Sequence, residues 1–134
     1  CGILSGTLAS LTGIFVLCML FGFNHQQYVT MLPKSITTAI GIGISEELGG
    51  IVTITVAVII ITGILGNVIA DTVFHIFKIK NPLAKGLALG TASHAIGTAR
   101  AIEMGPVEGA MSSLAVAVAG LLTVVFVSGF AQLI

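Results

Sequence analysis

Apolar positions run almost without interruption in three places along the chain, and polar positions gather in the intervals between them. The first run, Gly2 to Phe23, carries no charge. The second extends from Ile51 to Ala70, where Asp71 interrupts it, and continues as helix through Phe77. The third, Gly109 to Ile134, is again uncharged. A helix needs about 20 mostly apolar residues to cross the hydrocarbon of a bilayer, so each run predicts a transmembrane helix. A soluble fold of 134 residues has too little polar chain to cover three such helices. The expected fold is an all-α integral membrane protein: three transmembrane helices plus two interrupted or re-entrant helical segments, arranged as an internal repeat in one membrane domain.

The two polar intervals, Leu32 to Gly50 and Gly86 to Val107, match each other. A shift of 56 positions lays Ala39-Ile40-Gly41 on Ala95-Ile96-Gly97 and then, after equal gaps, Glu47-Leu48-Gly49 on Glu103-Met104-Gly105. An apolar run follows each copy, which points to repeat units of about 33–77 and 89–134. Seventeen residues from Pro33 to Gly49 reach about 25 Å as helix, just short of the hydrocarbon thickness, so length does not separate re-entry from crossing. Re-entrant segments make the repeats inverted, the arrangement favoured here, and crossing segments make them parallel. Transporters are commonly built from such repeats, with interrupted helices forming the substrate site.

The candidate chemistry lies in these intervals. Irregular backbone at membrane depth persists only where protein or a hydrated cavity satisfies it. A helix beginning near Pro33 would turn free amide groups toward a small anion, with Lys34 beside them. Glu46 and Glu47 lie at the wrong end of that helix for the macrodipole. The plain alternative is that Lys34 snorkels to the interface and the glutamates mark an exposed loop. In the second interval, Gly86, Gly90, Ser93, Gly97, Ala101 and Gly105 recur at three- or four-residue steps, a ridge on which another helix can approach closely. Arg100 is costly there without a partner or ligand, and its planar fork suits a carboxylate. It stands three residues from Glu103, so the alternative is a structural ion pair with His94 as a packing residue. Asn67, Asp71 and His75 form a polar stripe that interfacial solvation explains.

Lys78, Lys80 and Lys85 cluster after the second run, whereas Phe23 to Thr30 reads as a loop with no basic residue. Residues 78–85 are therefore expected in the cytoplasm and Gly49-Gly50 on the outer side. Composition sharpens the picture: charged residues make up 7%, mean hydropathy is +1.16, and five basic residues balance five acidic ones. No net field is available to attract nucleic acid. Cys1 and Cys18 read as apolar fillers, and no metal or cofactor site is expected. No His-Glu-x-x-His spacing or nucleophile motif occurs, so no enzyme is expected. Residue 1 is not methionine and no basic segment precedes the first run, which predicts the carboxyl-terminal part of a longer protein.

Two stretches, Leu32-Pro33-Lys34-Ser35-Ile36-Thr37-Thr38 and the run from Gly86 through Ser93-His94-Ala95-Ile96-Gly97-Thr98-Ala99 to Arg100, resemble the signature segments of the LrgB/CidB family. Glu103, Gly105 and Val107-Glu108-Gly109 continue the likeness, which covers nearly the whole chain. Asp71 and His75 depart from the apolar end that the family usually shows in the middle span. The resemblance implies antiholin-like or holin-like regulation of murein hydrolase activity, paired with a small LrgA/CidA-type membrane protein. It also implies carriage of small monocarboxylates, since plastidal members move glycolate and glycerate and some bacterial pairs look like pyruvate carriers. The residues favour transport, with lysis regulation as the alternative. A carrier needs a cationic contact and hydroxyls at mid-depth. Lys34 and Arg100 are expected as anion contacts, with Ser35, Thr37, Thr38, Ser93, His94 and Thr98 completing the substrate site. Glu47 or Glu103 supplies a counter-charge or proton site. The setting is the bacterial inner membrane and the assembly a homo- or hetero-oligomer.

Overall fold

The computed structural model describes residues 1–133. Its order is α1 (Gly2–Phe21), α2 (His25–Met31), α3 (Thr38–Glu47), α4 (Val52–Ile76), α5 (Pro82–Met104) and α6 (Pro106–Ala131). The architecture is all-α, with α1, α4 and α6 long and apolar enough to cross a membrane. These three correspond to the expected spans, with ends set by local chemistry. Gly22 takes the left-handed conformation (φ 64°) and stops α1, while Pro106 opens α6 three residues before the apolar run begins.

Helix α2 corrects the loop expected at Phe23 to Thr30. Asn24 Oδ1 accepts from the Gln27 amide at 2.9 Å and Gln27 Oε1 accepts from the Asn24 amide at 3.1 Å, a reciprocal cap that starts a seven-residue helix. Tyr28, on this helix, is fully buried and donates its hydroxyl to the Phe130 carbonyl at 2.8 Å. Around it Leu11, Ile14 and Cys18 of α1, Leu32, Ile36, Ile44 and Val127 of α6 close one core cluster. Between apolar helices in lipid there is no water to expel, so shape and hydrogen bonds of this kind hold the cluster together.

Helix α5 packs against α1, α4 and α6. Only Gly105 separates it from α6, and a short turn separates it from α4. The small-residue ridge receives α6 as expected. A methyl group on Gly86 would lie 2.4 Å from the Glu108 carbonyl oxygen, and one on Gly90 would lie 2.4 Å from that of Ser112. Gly97 serves differently, for its bare Cα faces the Leu89 carbonyl of its own helix, across a break at His94.

That break links the two motif copies. At His94 the backbone leaves helical geometry (φ 44°, ψ −133°), and helix resumes through Met104. The 56-residue shift sets this second half of α5 on α3, its first half on α2, and α6 on α4. Each copy of the motif therefore follows a break, ends at a glycine and leads into a span.

Candidate functional site

Helix α3 begins at Thr38, with Thr37 as its N-cap, and not at Pro33. The Lys34 amide donates to Met31 O at 3.2 Å and the Ile36 amide to Pro33 O at 3.4 Å, so residues 32–37 form successive turns. Proline, which lacks an amide proton, ends the preceding helix here and does not open the next. The expected array of free amides at Pro33 is therefore absent from that point. Thr37 and Thr38, half-buried at the start of α3, lie outside the cleft described next.

The turns deliver Lys34 and Ser35 into a cleft of about 510 Å³ between α1, α4 and α5. Gly6 and Ser10 line it from α1, Thr62 and Gly66 from α4, and Thr91 and Ser93 from α5. Lys34 Nζ donates to Ser35 Oγ at 2.8 Å and to Ser10 Oγ at 3.4 Å, while the Ser10 hydroxyl donates to Ser35 Oγ at 3.0 Å. No carboxylate lines the cleft among the described residues. The partners of Lys34 there are hydroxyl groups, which carry no charge to offset that of an ammonium and leave it donor capacity for an anion. Ser93 faces the same space because Gly66 has no side chain: a Cβ there would stand 1.7 Å from Ser93 Oγ.

His94 lies behind the cleft wall, 3% exposed, with Nε2 2.9 Å from the Ile59 carbonyl oxygen. A carbonyl only accepts, so Nε2 carries the proton. Thr98 Oγ1 donates to the His94 carbonyl at 2.9 Å and lies 2.8 Å from Ser112 Oγ, so both residues hold the break in place and stand apart from the cleft lining.

Arg100 corrects the expectation of two cations at one site. It stands outside the cleft at the protein surface, ion-paired with Asp71 of α4 and with Glu103, whose Oε2 is 2.7 Å away. Two carboxylates against one guanidinium leave no positive charge to hold a substrate acid. Asp71, expected to be solvated at the interface, is a partner of this arginine. Glu103 is likewise engaged there, and Glu47 is exposed near the end of α3, away from the cleft.

Of the expected residues, then, Lys34, Ser35 and Ser93 share the cleft. Ser10, Thr62 and Thr91 line it without having been singled out. For Ser10 a signal existed: Gly2, Gly6 and Ser10 recur every four residues in α1, the small-residue stripe that in α5 had been read as a packing face. A second hydroxyl cluster was also missed. Thr55 Oγ1, fully buried, lies 2.8 Å from Ser45 Oγ and 2.9 Å from Thr30 O, tying α2, α3 and α4 together.

Comparison with known proteins adds the lineage. Antiholin-like protein LrgB of Bacillus subtilis (strain 168) is 41% identical over 132 residues, covering 98% of this chain and 57% of that protein. Proteins of the same name from Bacillus cereus (strain B4264) and Bacillus anthracis (strain CDC 684 / NRRL 3495) are each 42% identical over 128 residues, covering 96% of this chain and 56% of theirs. The chain thus spans just over half the length of these relatives. No solved structure matches it. The LrgB-like family model matches residues 1–133, and with three apolar spans in the fold, the chain belongs to the LrgB-like family of membrane proteins.

Proposed function

We propose that the protein acts as an antiholin-like component of the bacterial inner membrane, a helical assembly that restrains murein hydrolase activity and cell lysis. The observation that carries this reading is the name antiholin-like, which its relatives share along nearly the whole of this chain. The spans supply outward apolar faces suited to lateral association: Leu20 of α1 is 74% exposed, Val68 of α4 73% and Leu121 of α6 66%. Such faces accept lipid, further copies of the protein, or a small partner of the LrgA/CidA type. In this reading residues 78–85 lie on the cytoplasmic side. The test compares lysis rate and murein hydrolase activity in cells lacking the full-length protein and in cells with it restored. Faster lysis in the deletion, reversed on restoration, supports the reading, and unchanged lysis overturns it.

A second reading, carriage of a small monocarboxylate of the pyruvate, glycolate or glycerate class, is favoured by one feature: the Lys34 ammonium in a hydroxyl-lined cleft without an acid. Lys34 is then the anion contact, Ser10, Ser35 and Ser93 are orienting groups, and Arg100 is not involved. Uptake of labelled pyruvate into vesicles holding the full-length protein and its partner, wild type against Lys34→Gln at matched expression, decides it. Uptake that depends on Lys34 supports carriage. Absence of uptake by wild type leaves the antiholin-like reading standing alone.

A further inference from the structure

The turn after α4 sets up a second cationic site, distinct from the Lys34 cleft. Phe77 ends the helix, the Ile79 amide donates back to Phe74 O at 2.8 Å, and the Lys78 amide donates to His75 O at 3.2 Å. This pattern of bonds needs a left-handed residue at position 78, the place where glycine is the usual choice. Lysine stands there instead, at φ 53°. The turn by itself gives no reason for a side chain at that position.

What the side chain gains is company. A cavity of about 580 Å³ is lined by Asp71, Phe74, His75, Lys78, Ile79, Lys80 and Lys85. Three ammonium groups border it against one carboxylate, and Arg100 already engages that carboxylate. Lys85 is held over the Phe74 ring, 5.8 Å from its centroid. Beside Lys78 in the chain, Ile76 and Phe77 are large apolar side chains left 65% and 72% exposed. A site for a free ion has no use for exposed apolar neighbours of this kind. A lipid does, because it joins a phosphate to hydrocarbon, and the end of a membrane span is where the two meet.

We propose that the cavity framed by Lys78, Lys80 and Lys85 binds the phosphate headgroup of an anionic phospholipid, with the exposed Ile76 and Phe77 in the adjoining hydrocarbon. The inference rests on the membrane location alone and on neither functional reading. It assigns the left-handed lysine to ligand binding rather than to the turn.

The test uses the full-length protein in neutral detergent, titrated with fluorescent phosphatidylglycerol and fluorescent phosphatidylcholine. Wild type is expected to prefer phosphatidylglycerol, with about a fivefold fall in affinity for each lysine changed to glutamine. Replacing all three with arginine keeps the preference. Lys78→Gly relaxes the turn, so thermal stability without lipid is unchanged or raised while affinity falls about fivefold. Raising salt from 0.1 to 1 M shortens the screening length from about 10 to about 3 Å and abolishes the preference without any substitution. Equal binding of the two lipids by wild type, a preference indifferent to salt, or full affinity in Lys78→Gly overturns the proposal. Displacement of phosphatidylglycerol by inorganic phosphate at matched concentration also overturns it, in favour of a free-phosphate site.

Discussion

His94 Nε2 sits 2.9 Å from the carbonyl oxygen of Ile59, and this bond joins the break in α5 to the middle of α4. The residue's φ of 44° is one that glycine adopts freely and alanine does not. In an ordinary helix, alanine is better than glycine by about 1 kcal/mol. At position 94 the order reverses. His94→Ala loses the bond and keeps the strain, whereas His94→Gly loses the bond and relieves it, so the alanine variant is less stable by about 1 kcal/mol and unfolds at the lower temperature. Thermal unfolding of the two variants in detergent checks this, and a more stable alanine variant would show that the break is not where the structure has it.

The contact between Gly66 and Ser93 sets how closely α4 and α5 approach. A methyl at position 66 meets Ser93 Oγ at 1.7 Å and Ser93 Cβ at 2.8 Å, so Gly66→Ala is expected to destabilise by about 1–3 kcal/mol. Ser93→Gly in the same chain recovers part of the loss, a coupling of at least about 0.5 kcal/mol. Gly13→Ala, with nothing within 4 Å of the added carbon, is the matched control and is neutral or stabilising.

Lys34 is kept at a cost to stability. Its ammonium is supported by Ser35 and Ser10 and by no acid among the described residues. Lys34→Met removes a desolvated charge while preserving chain length, so it is expected to be neutral or stabilising by about 1–2 kcal/mol in denaturation experiments. Lys34→Met should also weaken any anion-dependent rise in melting temperature that wild type shows with pyruvate. A large loss of stability in Lys34→Met would mean that the lysine holds the fold.

Arg100 has two acidic partners, Asp71 and Glu103, and each can stand in for the other. Asp71→Asn alone and Glu103→Gln alone are therefore expected to have small effects on unfolding temperature, with the double variant losing more than the sum. Additivity would show that the two pairs act independently and that neither stands in for the other.

The spans were legible because length and continuity of apolar residues suffice to announce them. An interruption was also expected in the second polar interval, and α5 has one, but its place at His94 was not legible. Proline and glycine are the usual markers of a break point, and neither stands at His94, which lies inside a regular ridge of small residues. Pro33 marked its break, yet the next helix starts at Thr38, because several turns intervene. The pairing of Arg100 was half visible: Glu103 is near in sequence, but Asp71 reaches the arginine only through the packing of α4 on α5. Lys34, Ser35 and Ser93 could be named from the sequence, but their meeting with Ser10 depends on how α1 lies across α5, where a Cβ on Gly6 would stand 3.1 Å from Thr91 Oγ1.

Helix α5 is not among those apolar enough to cross on their own, although it packs against α1, α4 and α6. Hydropathy alone therefore gives the insertion machinery no reason to release α5 sideways into lipid as it emerges from the ribosome. Its seat is made by its neighbours, and above all by α6, which arrives only after α5 has been synthesised. Translation stopped at Met104 would leave that segment open to aqueous reagents, whereas extension through Ala131 would withdraw it from them.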